Sequence, residues 1–376
     1  MPMKTFCTLV FYGLLLVTYQ GFGQSNYLVK NQVLKSEILQ EKRLISIKTP
    51  VDYAQSPQKY AVLYVLDGEW IFQYAQGVVD FLSNDLSPLP PLIVVGIHNT
   101  DRYRDLGVTY NTQDGYFKFV KFMEKELMPY INQNYRTNGF NLIYGWSSGS
   151  SMVSALMNQK LNLFDAYLEG GSGIGPKTKA YLEKRIPDLK FNKKYLYAST
   201  EGVGPRVKGL KTYQELMQRL NPQGLRWKME VLKGSNHVGA LAQGLHYGLR
   251  FVFQDFLIPE AIVLKGLAAM KAYYKNLDQQ FNFSVKMPVG VVNESAFTLS
   301  YANQLEKAVE VLKYGMTLYP ESPTIAGVLA EIYADHKKPK LAAQYYKIAK
   351  EKATAQNRLA LQLKYEALYK KYNKLK

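Results

Sequence analysis

One cysteine and four histidines in 376 residues limit the chemistry this chain can perform. Cys7 has no second thiol to pair with, so no disulfide framework forms and no Cys-x-x-Cys metal-finger pattern exists. The sequence also lacks a Gly-x-x-x-x-Gly-Lys loop, which excludes that phosphate cradle. Acidic residues are scarce, 30 Asp and Glu against 47 Lys and Arg, for a formal charge of +17. The basic residues are dispersed apart from a lysine-rich end (Lys364, Lys370, Lys371, Lys374, Lys376), and no helix-turn-helix accompanies them. Nucleic-acid recognition needs a focused basic patch and a reading element, so no nucleic-acid partner is expected. The charge suits acidic glycans, anionic envelope material or other anionic small molecules.

Long apolar runs are missing beyond the first residues. Phe6 to Val17 is mostly apolar, follows Lys4 and is too short to span a bilayer comfortably. With small residues at Gly21 and Gly23, residues 1–23 are expected to be a secretory signal cleaved before Gln24. No Leu-x-Gly precedes Cys7, so no lipid anchor is expected there. Removal of this segment leaves a mature chain with no thiol and no membrane span, in a periplasmic or secreted setting.

The most informative pattern present is Gly145-Trp146-Ser147-Ser148-Gly149. It follows the apolar run Asn141–Tyr144 and precedes the helix-like stretch Met152–Met157. Strand, sharp turn and helix form a nucleophile elbow, in which a strained serine exposes its hydroxyl and the next N–H, that of Ser148, faces the same centre. The order serine, acid, histidine is that of α/β hydrolases. His237, in Ser235-Asn236-His237-Val238, follows the alternating run Trp227–Leu232, where such a fold places its base. His98 precedes the serine, His246 sits in a helical pattern and His336 is expected in solvent. The acid is expected after the strand Lys194–Ser199, at Glu201, with Glu215 and Glu169 as rivals. Such an acid fixes the histidine tautomer and stabilises the imidazolium. The buried-strand run Tyr60–Leu66 ends in Asp67-Gly68-Glu69, where Gly68 allows close backbone approach and the Glu69 N–H can join that of Ser148 around an oxyanion.

Leu66-Asp67-Gly68, Val94–Ile97 with Asn99–Arg102 and Arg104-Asp105, the serine motif and Asn236-His237 together resemble the putative esterase family of α/β hydrolases. That family includes enterobactin (siderophore) esterases, esterase D, feruloyl and acetylxylan esterases, and mycolyltransferases. The resemblance spans about residues 27–258. It implies Ser147 as nucleophile, His237 as base, Glu69 N–H as an oxyanion donor and no cofactor, with Trp146, Gly68 and Asn236 beside the substrate. Two departures stand out. Relatives often carry His or Tyr where this chain has Trp146, and the loop Glu169–Pro176 is rich in glycine where relatives place tryptophans.

Alternating strands and helices over residues 27–258 predict a mostly parallel sheet flanked by helices, an α/β-hydrolase fold. After Pro259 the pattern becomes helical. Residues 259–291 read as a linker with helix, and Phe281–Val291 as partly extended. Residues 292–376 read as a small all-α module. There Ala308–Gly315 and Ala342–Ala349 are related at an offset of 34 residues, the tetratricopeptide period. Such repeats offer a surface to a protein partner. The leading expectation is an exported serine ester hydrolase acting on a small-molecule or glycan ester. A catalytically retired scaffold that binds protein or glycan, and acyl transfer in place of hydrolysis, are the alternatives.

Overall fold

The computed structural model describes residues 29–375 except 52, 55, 86 and 108–113. The segment read as a secretory signal, residues 1–23, therefore lies outside the described residues.

Eight strands form one sheet: β1 Val29–Ser36, β2 Glu41–Lys48, β3 Tyr60–Val65, β4 Leu92–Ile97, β5 Thr137–Trp146, β6 Ala166–Gly170, β7 Lys194–Glu201 and β8 Leu225–Leu232. Their spatial order is β1-β2-β4-β3-β5-β6-β7-β8. β1 pairs antiparallel with β2, and β2 antiparallel with β4, whereas every pair from β4 to β8 is parallel. Composition follows position. β3 (YAVLYV) and β4 (LIVVGI) are buried along their whole length, as continuous apolar runs covered by helices on both faces must be. β1, at the edge, alternates toward solvent.

The sheet separates two apolar cores. On one side, Leu63, Tyr144 and Leu168 pack with the helices Gly68–Leu82 and His237–Val252. On the other, Ile143 and Tyr167 pack with Ser148–Gln159 and Pro205–Leu220. The chain runs from β3 outward to β4, then returns past β3 to β5. This reversal opens a crevice beyond the carboxyl ends of β3 and β5, the usual ligand position in such sheets.

The first core continues into the C-terminal helices Leu267–Phe281, Val289–Tyr301, Leu305–Leu318, Pro323–Asp335, Pro339–Ala355 and Leu359–Asn373. The helix Leu267–Phe281, within the stretch read as a linker, is a core element. Phe281 meets the rings of Phe140, Tyr195, Phe253 and Phe256 at centroid distances of 5.4, 5.8, 5.8 and 5.1 Å. Beyond it, residues 282–288 carry no regular element and Val289 starts the next helix. Gly290 is pressed so closely onto the loop before β4 that a Cβ there would lie 2.2 Å from the Ser87 carbonyl oxygen. Arg358 bonds Asp85 of the same loop at 3.0 Å. His336, expected in solvent, is half-buried with its Nε2 3.0 Å from the Ser300 hydroxyl. Among the described residues no helix is long and apolar enough to cross a membrane.

Candidate active site

Ser147 links β5 to the helix Ser148–Gln159 with φ 58° and ψ −115°, a strained conformation for a residue with a side chain. Such strain costs about 1–3 kcal/mol and persists only where the surroundings enforce it. They do so here. The Ser147 N–H donates to the Gly170 carbonyl at 2.9 Å, and the Ser147 carbonyl accepts from the N–H groups of Ser150 (3.0 Å) and Ser151 (3.4 Å) and from the Ser150 hydroxyl (2.7 Å). Of the two motif glycines, Gly145 is the tighter. A Cβ there would sit 2.2 Å from the Gly149 carbonyl oxygen, whereas one at Gly149 would make ordinary contacts from 3.6 Å.

His237 reaches this elbow from β8. It is the first residue of the helix His237–Val252, not a loop residue as the sequence suggests. Its ring lies 4.5 Å, centroid to centroid, from that of Trp146, and the Trp146 indole N–H donates to the His237 carbonyl at 3.0 Å. The imidazole is thus packed against the residue preceding Ser147. Gly171, with φ 63°, makes the room, because a Cβ at that position would lie 2.7 Å from His237 Cε1. Asn236, expected beside the substrate, caps this helix: its side-chain oxygen accepts the Gly239 N–H at 2.8 Å. An Asn immediately before an apolar helical pattern carries that signal in the sequence.

Of the three candidate acids, only Glu201 meets the histidine. Its Oε2 lies 3.2 Å from His237 Nδ1. Burial alone would raise this carboxyl, but hydrogen bonds from its own backbone N–H, from His237, from Thr200 (2.9 Å) and from Arg206 (3.1 Å) outweigh it and hold the group at about 2. Arg206 and Thr200 escaped the sequence reading, since neither belongs to a motif. With Nδ1 facing a carboxylate, the neutral ring carries its proton there and leaves Nε2 as the free base. Glu215 is exposed on the helix Pro205–Leu220. Glu169 is buried on the far side of the sheet end, bonded to Ser172.

The crevice has a second wall. Gly68 and Glu69 open the helix Gly68–Leu82, and Asp67 before them is left-handed at φ 54°. Gly68 lies so close to β4 that a Cβ would be 2.8 Å from the Gly96 carbonyl carbon. Asp67 is fully buried and bound by Arg102 through Nε (2.7 Å) and Nη2 (3.0 Å), and by Asn99 at 2.7 Å. Its Oδ2 would lie 3.6 Å from a Cβ on Gly149, so this turn abuts the serine helix. Ser148 and Glu69 each occupy a first helical turn, where N–H groups have no intrahelical acceptor. The loop that supplies Asn99 and Arg102 is anchored in turn. Arg43, wholly buried in β2, bonds the His98 carbonyl at 3.0 Å and Asp105 at 2.7 Å. His98 itself points its Nε2 at Ser46, 2.8 Å away, and takes no part in the site.

Residues 36–165 match the model of the esterase family, described as "Putative esterase". The α/β domain is similar to that family over the part that carries β2 to β5 and Ser147. This chain is also similar to an IroE-like serine hydrolase from Shewanella oneidensis, at 26% identity and TM-score 0.63, over 75% of this chain and 98% of that one. An uncharacterised protein from Capnocytophaga ochracea aligns at 18% identity and TM-score 0.62, over 86% of this chain and 93% of that one. The siderophore hydrolase EstB from Aspergillus nidulans aligns at 18% identity and TM-score 0.53, over 61% of this chain and 96% of that one. The α/β domain is about three-fifths of the chain, so the first two matches extend beyond it. No curated protein sequence matches this chain.

Four apolar side chains stand exposed beside the catalytic candidates: Trp70 after β3, Tyr103 after β4, Val203 after β7 and Val238 next to His237, each at least 63% accessible. Arg102 lies 5.7 Å over the Trp70 ring, and Arg206 remains partly exposed beside Glu201. Two cavities, of about 680 and 570 Å³, lie at the seam with the C-terminal helices and touch neither Ser147 nor His237. Among the described residues no group of acidic residues, histidines and cysteines could hold a metal ion.

Proposed function

We propose that this protein is an exported serine carboxylic-ester hydrolase working through an acyl-enzyme. The observation that carries the proposal is the strained Ser147 elbow beside a His237 whose Nδ1 is held by Glu201. Ser147 attacks the ester carbonyl as His237 Nε2 takes its proton, and Glu201 stabilises the imidazolium. The N–H groups of Ser148 and Glu69 receive the oxyanion. The imidazolium protonates the departing alcohol, and the same ring then activates water to release the acid. The exposed apolar rim and the two arginines favour a bulky substrate with aromatic and anionic character, which suits a siderophore ester better than a simple acetylated sugar. Export rests on Lys4 and the apolar run after it. The C-terminal helices are a repeat module in this reading, supported by helix starts at Leu305 and Pro339, 34 residues apart.

The test is turnover of an aryl ester by wild type, Ser147→Ala and His237→Ala, with stoichiometric labelling by a fluorophosphonate. Both variants are expected to lose turnover, and the label to map to Ser147. An unlabelled wild-type protein would favour the retired-scaffold reading. Ester products in the presence of competing alcohols would reveal acyl transfer.

A further inference from the structure

Behind the elbow lies a second polar site that the reaction does not use. Glu169 sits in β6 with Gly145 of β5 and Ala198 of β7 as its register partners. Its side chain is 1% accessible. Oε2 accepts the Ser172 hydroxyl at 2.5 Å, while Oε1 has no partner among the described residues. The hydroxyl of Ser154, also buried, has none either. Both residues line one cavity of about 70 Å³, together with Ser150, Ser151, Ser172, Gly173, Ile174 and Thr178, and it opens to solvent past the exposed Ser151 and Gly173. A cavity of that size with several polar walls holds about two water molecules.

Among the described residues no positive charge faces this carboxyl. The β5 and β7 neighbours are Gly145 and Ala198. The helix Ser148–Gln159 contributes only serines, the loop Ser172–Ile174 one hydroxyl, and the helix Pro176–Arg185 the Thr178 hydroxyl. The N–H groups of Ser150 and Ser151, which could have stabilised an anion, already serve the Ser147 carbonyl. A carboxylate with one hydroxyl donor and no cation is costly to bury, whereas a carboxylic acid donates from its free oxygen and satisfies the cavity. Burial accordingly pushes Glu169 up to about 8, opposed only by the Ser172 bond.

We propose that Glu169 is a positioning residue: as a neutral carboxylic acid it ties the serines of the first helical turn, through water in the cavity, to the carbonyl of Ser147. The link runs through Ser150, whose hydroxyl lines the cavity and donates to that carbonyl at 2.7 Å. Ionisation would put an unpaired charge directly behind the elbow and break the donor end of the network. This inference rests on the esterase reading for its effect on rate, but the protonation itself can be observed without turnover.

The experiment compares pH profiles of kcat and KM for wild type, Glu169→Gln and Ser154→Ala, together with infrared difference spectra of the intact proteins. Glutamine keeps the shape and a donor but cannot ionise. Glu169→Gln is expected to retain kcat at neutral pH and to lose the alkaline fall that wild type shows, with KM unmoved. The infrared spectrum of wild type at neutral pH is expected to contain a protonated-carboxyl band that is absent from Glu169→Gln and disappears as the alkaline limb is crossed. An identical alkaline limb in both proteins would overturn the proposal. So would a Glu169 carboxylate band at neutral pH, a measurement that stands even if Glu169→Gln fails to fold or wild type hydrolyses no ester, because Ser154→Ala should still shift the band.

Discussion

The mouth of the crevice and the cavity behind it each hold a buried glutamate at the end of adjacent strands, and they treat it in opposite ways. At the mouth, Glu201 receives donors from His237, Thr200 and Arg206 and stays ionised. Behind the elbow, Glu169 has one hydroxyl and no cation, and is held toward its neutral form. The comparison shows that nearness to a serine does not make a carboxylate the acid of a triad. The donors around it decide whether it serves as a fixed charge or as a fixed hydrogen-bond donor.

The largest expected effect breaks the mouth. Ser147→Ala should lower kcat by a factor on the order of 10⁶, measured in single-turnover assays, with the fold intact by circular dichroism. Glu201→Gln comes next, with a loss on the order of 10⁴ from the wrong tautomer of His237. Equal losses in Glu169→Gln would erase the contrast between the two sites.

The pH dependence of stability sharpens the comparison, because the two acids have opposite signs. Glu201 lies below its ordinary 4.5, at about 2, so its contribution is complete above pH 4.5 and disappears as pH falls toward 2. Glu169 lies above 4.5, at about 8. The folded state therefore holds a proton that the unfolded state has lost, and stability falls as pH rises from about 4.5 to about 8. Urea unfolding across pH should show Arg206→Ala losing part of the acid-side slope and Glu169→Gln losing the alkaline-side slope. The smallest expected effect is at the rim: Trp70→Ala should raise KM a few-fold for aromatic esters with kcat unchanged, checked against an acetyl ester that is indifferent to the change.

Much of this was legible in the sequence because it is local. The elbow is five consecutive residues between a strand pattern and a helix pattern, and β3 and β4 announce themselves as unbroken apolar runs. The order of Ser147 and His237, with an acid between them, followed from chain order alone. What escaped depends on distance along the chain or on residue types that usually read as surface. Arg43 looks like an exposed strand residue, yet it lies buried between Phe119 and Phe122, at 5.3 and 5.9 Å from their rings. Asp67 looks like a turn residue, and its role appears only once Arg102 closes on it. The choice among Glu201, Glu215 and Glu169 could not be made without knowing which side of the sheet each faces.

Phe281 stands between Phe140 of the sheet and Phe253 and Phe256 of the last α/β helices, so the aromatic cluster belongs to both halves of the chain at once. Cutting the polypeptide after residue 258 would leave a raw greasy scar under β5, the strand that presents Ser147. A shortened version made for crystallisation or industrial use would clump or soften at the end that carries Ser147.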